Sequence, residues 1–325
     1  MSGSTLILPA FAKVNWNLRV LGKRPDGYHE LDTVLQTINL YDTLTLSVTN
    51  GPEIVLSSDD RSLPTGADNL IYRAAKALQD HLAPESRAAK ALADRLAPKK
   101  GARIHLVERI PVQAGLGGGS SDAAVTLLGL TYLWEAAAPA QELLKVASSL
   151  GADVPFFFFG GTARGTGIGK DLAPLPDPPD QFLLVLKPNA SIPTSTAYQA
   201  LKARSLTSAE AKTILSSSAQ GEISDSFDSK VLQNDFEQVV FELEPEIKRA
   251  KIALMKAGAA AALLAGSGSA VFGIFDSGDA QERAIQVIEL EAGWRVFPCR
   301  TVGRSLYRSA MGATGQIFSV DDVGR

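Results

Sequence analysis

The segment Gly115-Leu-Gly-Gly-Gly-Ser-Ser121 carries residue types that can hold an anion. Glycines reach backbone angles closed to other residues and let main-chain N–H groups approach a ligand. The apolar run Ala123–Trp134 follows and reads as a buried helix beginning near Ser120; its first turn would aim free amides and the positive end of its dipole at the loop. A di- or triphosphate held this way needs few side-chain cations, which suits a chain with 32 Lys and Arg against 35 Asp and Glu. A glycine turn kept only for tight packing is the competing reading. The spacing nearly fits the dinucleotide fingerprint, but antiparallel sheet precedes it where a βαβ unit should stand. No Lys follows the glycines as a Walker loop requires.

Phosphoryl chemistry also needs a proton acceptor and a cation near the attacking oxygen. Asp153 is the candidate acceptor, set between Gly151-Ala152 and the apolar run Val154–Phe159; the alternative is a helix cap. Lys13 and Asn15 share one face of an alternating segment and can enter a cleft together, although a lone strand lysine is usually solvated. Magnesium takes oxygen ligands and keeps waters and substrate phosphates, so Ser121 is the expected protein ligand, with Asp122 a weaker one.

Ala12–Leu21 alternates, with Val14, Trp16, Leu18 and Val20 opposite Lys13, Asn15, Asn17 and Arg19, and reads as a half-buried strand. Leu44, Leu46 and Val48 repeat the pattern after an expected turn at Tyr41-Asp42. A helix is predicted over Asn69–His81, a strand over Arg103–Glu108, a helix after Pro139, a strand over Phe182–Lys187 and a helix through Phe236–Lys256. Strands near Leu263, Val271–Phe275 and Trp294–Val302, and a helix near Gln281–Leu290, complete the reading. Strands and helices mix without a βαβ repeat, giving an α+β chain of two domains. The Pro- and Asp-rich stretch Leu172–Gln181 marks the boundary, giving domains at 1–178 and 179–311 and a loose tail at 312–325. The repeat of Arg73-Ala-Ala-Lys-Ala-Leu at Arg87 reads as a local duplication adding surface helix.

The single cysteine, Cys299, excludes a disulfide framework and points to a reducing cytoplasm. A formal charge of −3 provides no general positive surface for nucleic acid. Residues 1–8 lack the pattern of a secretory signal. Ala257–Phe275 is uncharged but Ala-rich and broken by Gly266-Ser-Gly268, so it reads as core rather than a membrane span.

Pro111-Val-Gln-Ala-Gly-Leu-Gly-Gly-Gly-Ser-Ser121 resembles the phosphate-binding motif of GHMP kinases. Four further segments resemble the branch that acts on a cytidine-diphosphate-linked sugar alcohol: Ala12-Lys-Val-Asn15, Arg24-Pro-Asp-Gly-Tyr-His-Glu30, Gly151-Ala-Asp-Val-Pro155 and Ala265-Gly-Ser-Gly-Ser-Ala270. The likeness runs from about Pro9 to about Val302. It departs at the duplication, at the acidic Glu108 where some relatives carry a basic residue, and at the tail.

The resemblance implies a two-domain GHMP kinase fold, with mixed and antiparallel sheets flanked by helices and the site in the interdomain cleft. ATP and Mg2+ would be used to phosphorylate a small molecule, with no nucleic-acid or membrane partner. It makes Lys13 and Asp153 catalytic. Pro111, Val112, Gln113, Ala114, Gly115, Leu116, Gly117, Gly118, Gly119, Ser120 and Ser121 would hold ATP, and Asn69, otherwise a helix cap, would assist the nucleotide base. Tyr28 and Tyr198 would stack on cytosine, with His29 at its edge and Asn15 near the substrate; alone, Tyr28-His29 would be an ordinary turn. Tyr198 stands where relatives can carry Phe. A GHMP kinase for another alcohol, such as homoserine or mevalonate, and an inert ligand-binding relative are the alternatives.

Overall fold

The computed structural model describes residues 4–82, 100–203, 205 and 232–318. The second copy of the duplicated segment, the whole Ser-rich stretch at 206–228 and the last seven residues lie outside them.

Two long strands, β1 (Thr5–Lys23) and β2 (His29–Thr49), pair antiparallel and build the first sheet. β3 (Ile54–Ser58) and β4 (Gly101–Val107) extend it beyond β2, while β5 (Thr162–Gly167) pairs with Leu31–Gln36 and carries β6 (Asp171–Leu175). β7 (Phe182–Lys187) begins a second, antiparallel sheet with β9 (Ala261–Leu264), β10 (Val271–Phe275) and β11 (Arg295–Arg300), in the order β11-β7-β10-β9. The two-residue β8 (Gln233–Asn234) returns to pair with β1. The change of sheet falls between Leu175 and Phe182.

Expectation and structure differ first on β1. Its middle is buried on both faces, Lys13 and Asn15 included, because the glycine segment and the Gly266 turn cover Lys13 on the side expected in water, while the second sheet packs on the opposite, apolar face. The turn expected at Tyr41-Asp42 is strand: β2 runs through it, and a register shift opposite Phe11/Ala12 absorbs the extra residues. Polar residues in an otherwise apolar run mimic a turn signal when a bulge redirects them.

Three helices cover the first sheet: α1 (Leu70–His81), α2 (Gly118–Leu133) and α3 (Ala140–Leu150). Every residue of α2 from Ser121 to Thr131 is buried, because the strands pack on one side and α1 and α3 on the other. α4 (Thr194–Ala200), α5 (Phe236–Leu243), α6 (Pro245–Lys256) and α7 (Gly278–Val287) belong to the second half. The single helix expected over Phe236–Lys256 is two. Pro245 forces Glu244 into an extended conformation at φ −131° and ψ 82° and restarts the helix as its first residue.

The two sheets face each other: Ala12, Val14, Trp16, Val34 and Ile38 pack on Leu183, Val185, Phe272 and Ile274, with Trp16 and Phe272 edge to face at 5.7 Å. The chain then goes back. α8 (Arg304–Ala310) puts Tyr307 into the first core, where its hydroxyl donates to the Phe157 carbonyl. The loose tail expected from Gly312 is ordered as far as described: a 3₁₀ turn spans Gly312–Gln316, and Phe318 is buried with its ring 4.7 Å from that of Phe158. An apolar anchor in a short polar segment leaves little periodic signal. Among the described residues no helix is long and apolar enough to cross a membrane; Ala257–Phe275 is β9, a turn and β10.

Candidate active site

Lys13 leaves β1 toward a cavity of about 1130 Å³ between the two halves. Its Nζ donates to Asn15 Oδ1 at 2.8 Å and lies 3.7 Å from Asp153 Oδ2. Asn15 Nδ2 donates in turn to Thr33 Oγ1 at 2.7 Å, and Thr33 donates to the Asn17 carbonyl at 2.6 Å. Lys13 is 4% exposed, so this ammonium is held by a chain of partners rather than by water. Asp153 occupies the cap position of a 3₁₀ turn over Val154–Phe158, yet its side chain makes no capping bond. The carboxylate faces the lysine instead, with buried Val154–Phe159 as its floor.

The glycine segment passes directly over Lys13. Gly117 has φ +76°, and a Cβ there would stand 3.1 Å from the Lys13 side chain and 3.0 Å from Phe157. Gly115, at φ +77°, would meet the Ala265 carbonyl oxygen at 2.0 Å. Main-chain bonds from Ala270 to the Ala114 carbonyl and from Ser269 to that of Gln113 clip the loop to the Gly266–Gly268 turn of the second half. α2 begins at Gly118 with Gly117 as its cap and no side-chain acceptor on its first amides. Those amides line a second cavity of about 580 Å³, with Asn69 and the segment Pro111–Ser120 in its wall. Helix dipole and unpaired N–H groups both favour an anion there.

Asn69 is the cap of α1: its Oδ1 accepts from the Ile71 amide and its Nδ2 donates to the Pro64 carbonyl, both at 2.8 Å. Ser120 borders both cavities. Ser121 lines neither; its hydroxyl is buried without a hydrogen-bond partner.

Tyr28, His29 and Tyr198 join Lys13, Asn15 and Asp153 in the larger cavity. Tyr28 is 61% exposed on the β1–β2 turn. The His29 and Tyr198 rings lie 4.8 Å apart, and Phe236 meets Tyr198 edge-on at 4.7 Å. Tyr198 thus packs between His29 and Phe236, in the wall of the cavity that Tyr28 also lines. Burial first, then the charge of Lys23, lower the His29 pKa, and burial beside Asp153 pushes the Tyr198 phenol up to about 12. Both rings are neutral near pH 7.

Beside the glycine loop, Asp42, Glu108 and Asp122 bring carboxylate oxygens within 4.8 Å of one another. Burial raises all three: Asp42 to about 6 against the pull of the Ile110 and Arg109 amides, Glu108 to about 8 with Asp42 adding to the effect, and Asp122 well above the carboxylate range. Sequence reasoning finds neither this cluster nor Thr33. Asp42 was taken for a turn residue, and no spacing pattern links three acids on three separate elements.

The GHMP kinase N-terminal domain model matches residues 69–161 and the GHMP kinase C-terminal model residues 219–292. A protein of Solibacter usitatus (strain Ellin6076) named 4-diphosphocytidyl-2-C-methyl-D-erythritol kinase is 41% identical over 308 residues, covering 94% of this chain and 92% of its own. The chain belongs to that kinase family. A crystal structure of 4-(cytidine 5'-diphospho)-2C-methyl-D-erythritol kinase superposes with a TM-score of 0.68 at 33% identity, over 92% of this chain and all of that one. A homoserine kinase from Cytophaga hutchinsonii aligns at 18% identity with a TM-score of 0.65, covering 94% and 96% of the two chains, and shares the fold alone. The chain is thus a GHMP small-molecule kinase, for which ATP is the phosphoryl donor. The two cavities adjoin, sharing Gly115, Gly117, Ser120 and Thr194 in their walls.

Proposed function

We propose that this kinase transfers the γ-phosphoryl group of ATP to the 2-hydroxyl of 4-diphosphocytidyl-2-C-methyl-D-erythritol, releasing ADP, in the non-mevalonate route to isoprenoid precursors. The observation that carries the reading is the Lys13–Asp153 contact of 3.7 Å inside a cavity whose other end is lined by Tyr28, His29 and Tyr198. The names of the two similar kinases support the same substrate.

The cytidine enters at the aromatic end, where rings offer stacking and neutral His29 offers both a donor and an acceptor to a base edge. The 2-hydroxyl then meets Asp153, which takes its proton as the oxygen attacks phosphorus. Lys13, held by Asn15, faces Asp153 at 3.7 Å and places positive charge beside the transferring group. The first amides of α2 grip the phosphates of ATP, with Asn69 at the far wall. Magnesium takes hard oxygens, and the start of α2 offers two left without a partner: Ser121 Oγ, buried behind the cavity wall, and Asp122 Oδ1, on a residue that lines the smaller cavity. These would hold the ion, whose charge would neutralise the phosphate oxygens.

Incubating the purified protein with magnesium-ATP and this substrate should release ADP and yield the 2-phosphate, read by coupled assay and mass spectrometry. ADP release with homoserine or mevalonate but not with the cytidyl compound would assign a different alcohol. No turnover of any of the three would favour an inert relative.

A further inference from the structure

The charged side chains lining the larger cavity are Lys13, Asp153, Lys23 and Lys202, with His29 beside them. Lys13 and Asp153 face each other and cancel. Lys23 and Lys202 make no ion pair with any described residue, so among the described residues these two groups give the cavity lining an excess of positive charge. They come from distant segments. Lys23 ends β1, and Lys202 follows α4, which also carries Tyr198. A parallel bridge between Lys23 and Ser205 ties the two segments together at the aromatic end. The backbone at Lys202 has φ +47°. That left-handed position just past a helix is usually filled by Gly or Asn; here lysine takes it and lines the cavity.

We propose that Lys23 and Lys202 form a clamp for the diphosphate of the acceptor substrate, distinct from the amides that hold ATP. The inference rests on the reading of this cavity as a cytidine-diphosphate site and adds what recognises the charged linker. A diphosphate diester carries one negative charge on each phosphate at neutral pH, so two lysines match it without remainder. The aromatic residues, by contrast, offer the linker no cation.

The test is isothermal titration of CDP and of cytidine into wild type, K23Q, K202Q and the double variant, with K23R and K202R as charge-preserving controls. Each Gln variant should weaken CDP about tenfold, the worth of a charge-assisted contact, while cytidine binding stays within twofold or so and the Arg variants bind CDP like wild type. The CDP affinity of the wild type should fall with salt, and that of the double variant should fall less. An active wild type whose double variant binds CDP unchanged overturns the clamp alone. Equal losses for CDP and cytidine also overturn it, because the lysines would then only support the aromatic site. A wild type inactive on the cytidyl substrate overturns the functional reading, and the clamp falls with it.

Discussion

Asp153 and Lys13 are 3.7 Å apart because a 3₁₀ turn and a strand far away in sequence end at one point. Asp153→Ala should lower kcat by about 10²–10⁴, the usual worth of a positioned base, with thermal melting unchanged; a wild-type rate in that variant would remove the base. Lys13→Ala should be as severe in a single-turnover assay and in addition loosen Asn15. Tyr28 is mostly exposed on its turn, so removing its ring should cost little stability. Tyr28→Ala should raise the KM for the cytidyl substrate well above any change in the KM for ATP, and equal changes in steady-state kinetics would refute its role. That Lys13, Asp153, Tyr28 and His29 line one cavity was legible because each stands in a short, distinctive string, whereas Tyr198 came only with the family resemblance. Thr33 and the acid cluster were not, since their chemistry depends on which strands become neighbours.

At the scale of elements, the glycine loop is constrained from below by Lys13 and from above by the Ala265 carbonyl. Gly117→Ala would put a methyl group 3.1 Å from the Lys13 side chain, on a backbone of φ +76° that alanine resists. A rise in ATP KM together with a fall in kcat is the expected result, read from initial rates. The acid cluster beside the loop predicts a pH dependence of stability. Burial raises Glu108 to about 8 from an ordinary 4.5, so its folded form favours the protonated state, and its contribution is present below about 4.5 and lost as the pH rises toward 8. The melting temperature of ligand-free protein should therefore fall through that window. Glu108→Gln, neutral throughout, should flatten the curve, and a curve of unchanged slope would contradict the burial argument. The loop and its buried helix were readable as glycine followed by unbroken apolar sequence. The break at Pro245 and the strand through Asp42 were misread, because helix periodicity survives a proline restart and an inward-facing acid looks like a turn.

At the scale of the molecule, two sheets pack face to face and α8 with Phe318 closes the first core. Phe318→Ala should cost about 3 kcal/mol, as for other buried aromatics, measurable by urea denaturation. No periodic pattern announced that anchor, since a single aromatic in a polar stretch decides the matter only once its partner, Phe158, is in place.

The return of α8 and Phe318 to the first core has a consequence for biogenesis. During translation, the amino-terminal half leaves the ribosome with a gap in its interior that only residues near the other extremity can fill. Its maturation must wait for the whole second half to emerge, so a truncated product or a stalled nascent chain would offer Phe158 and its neighbours to chaperones.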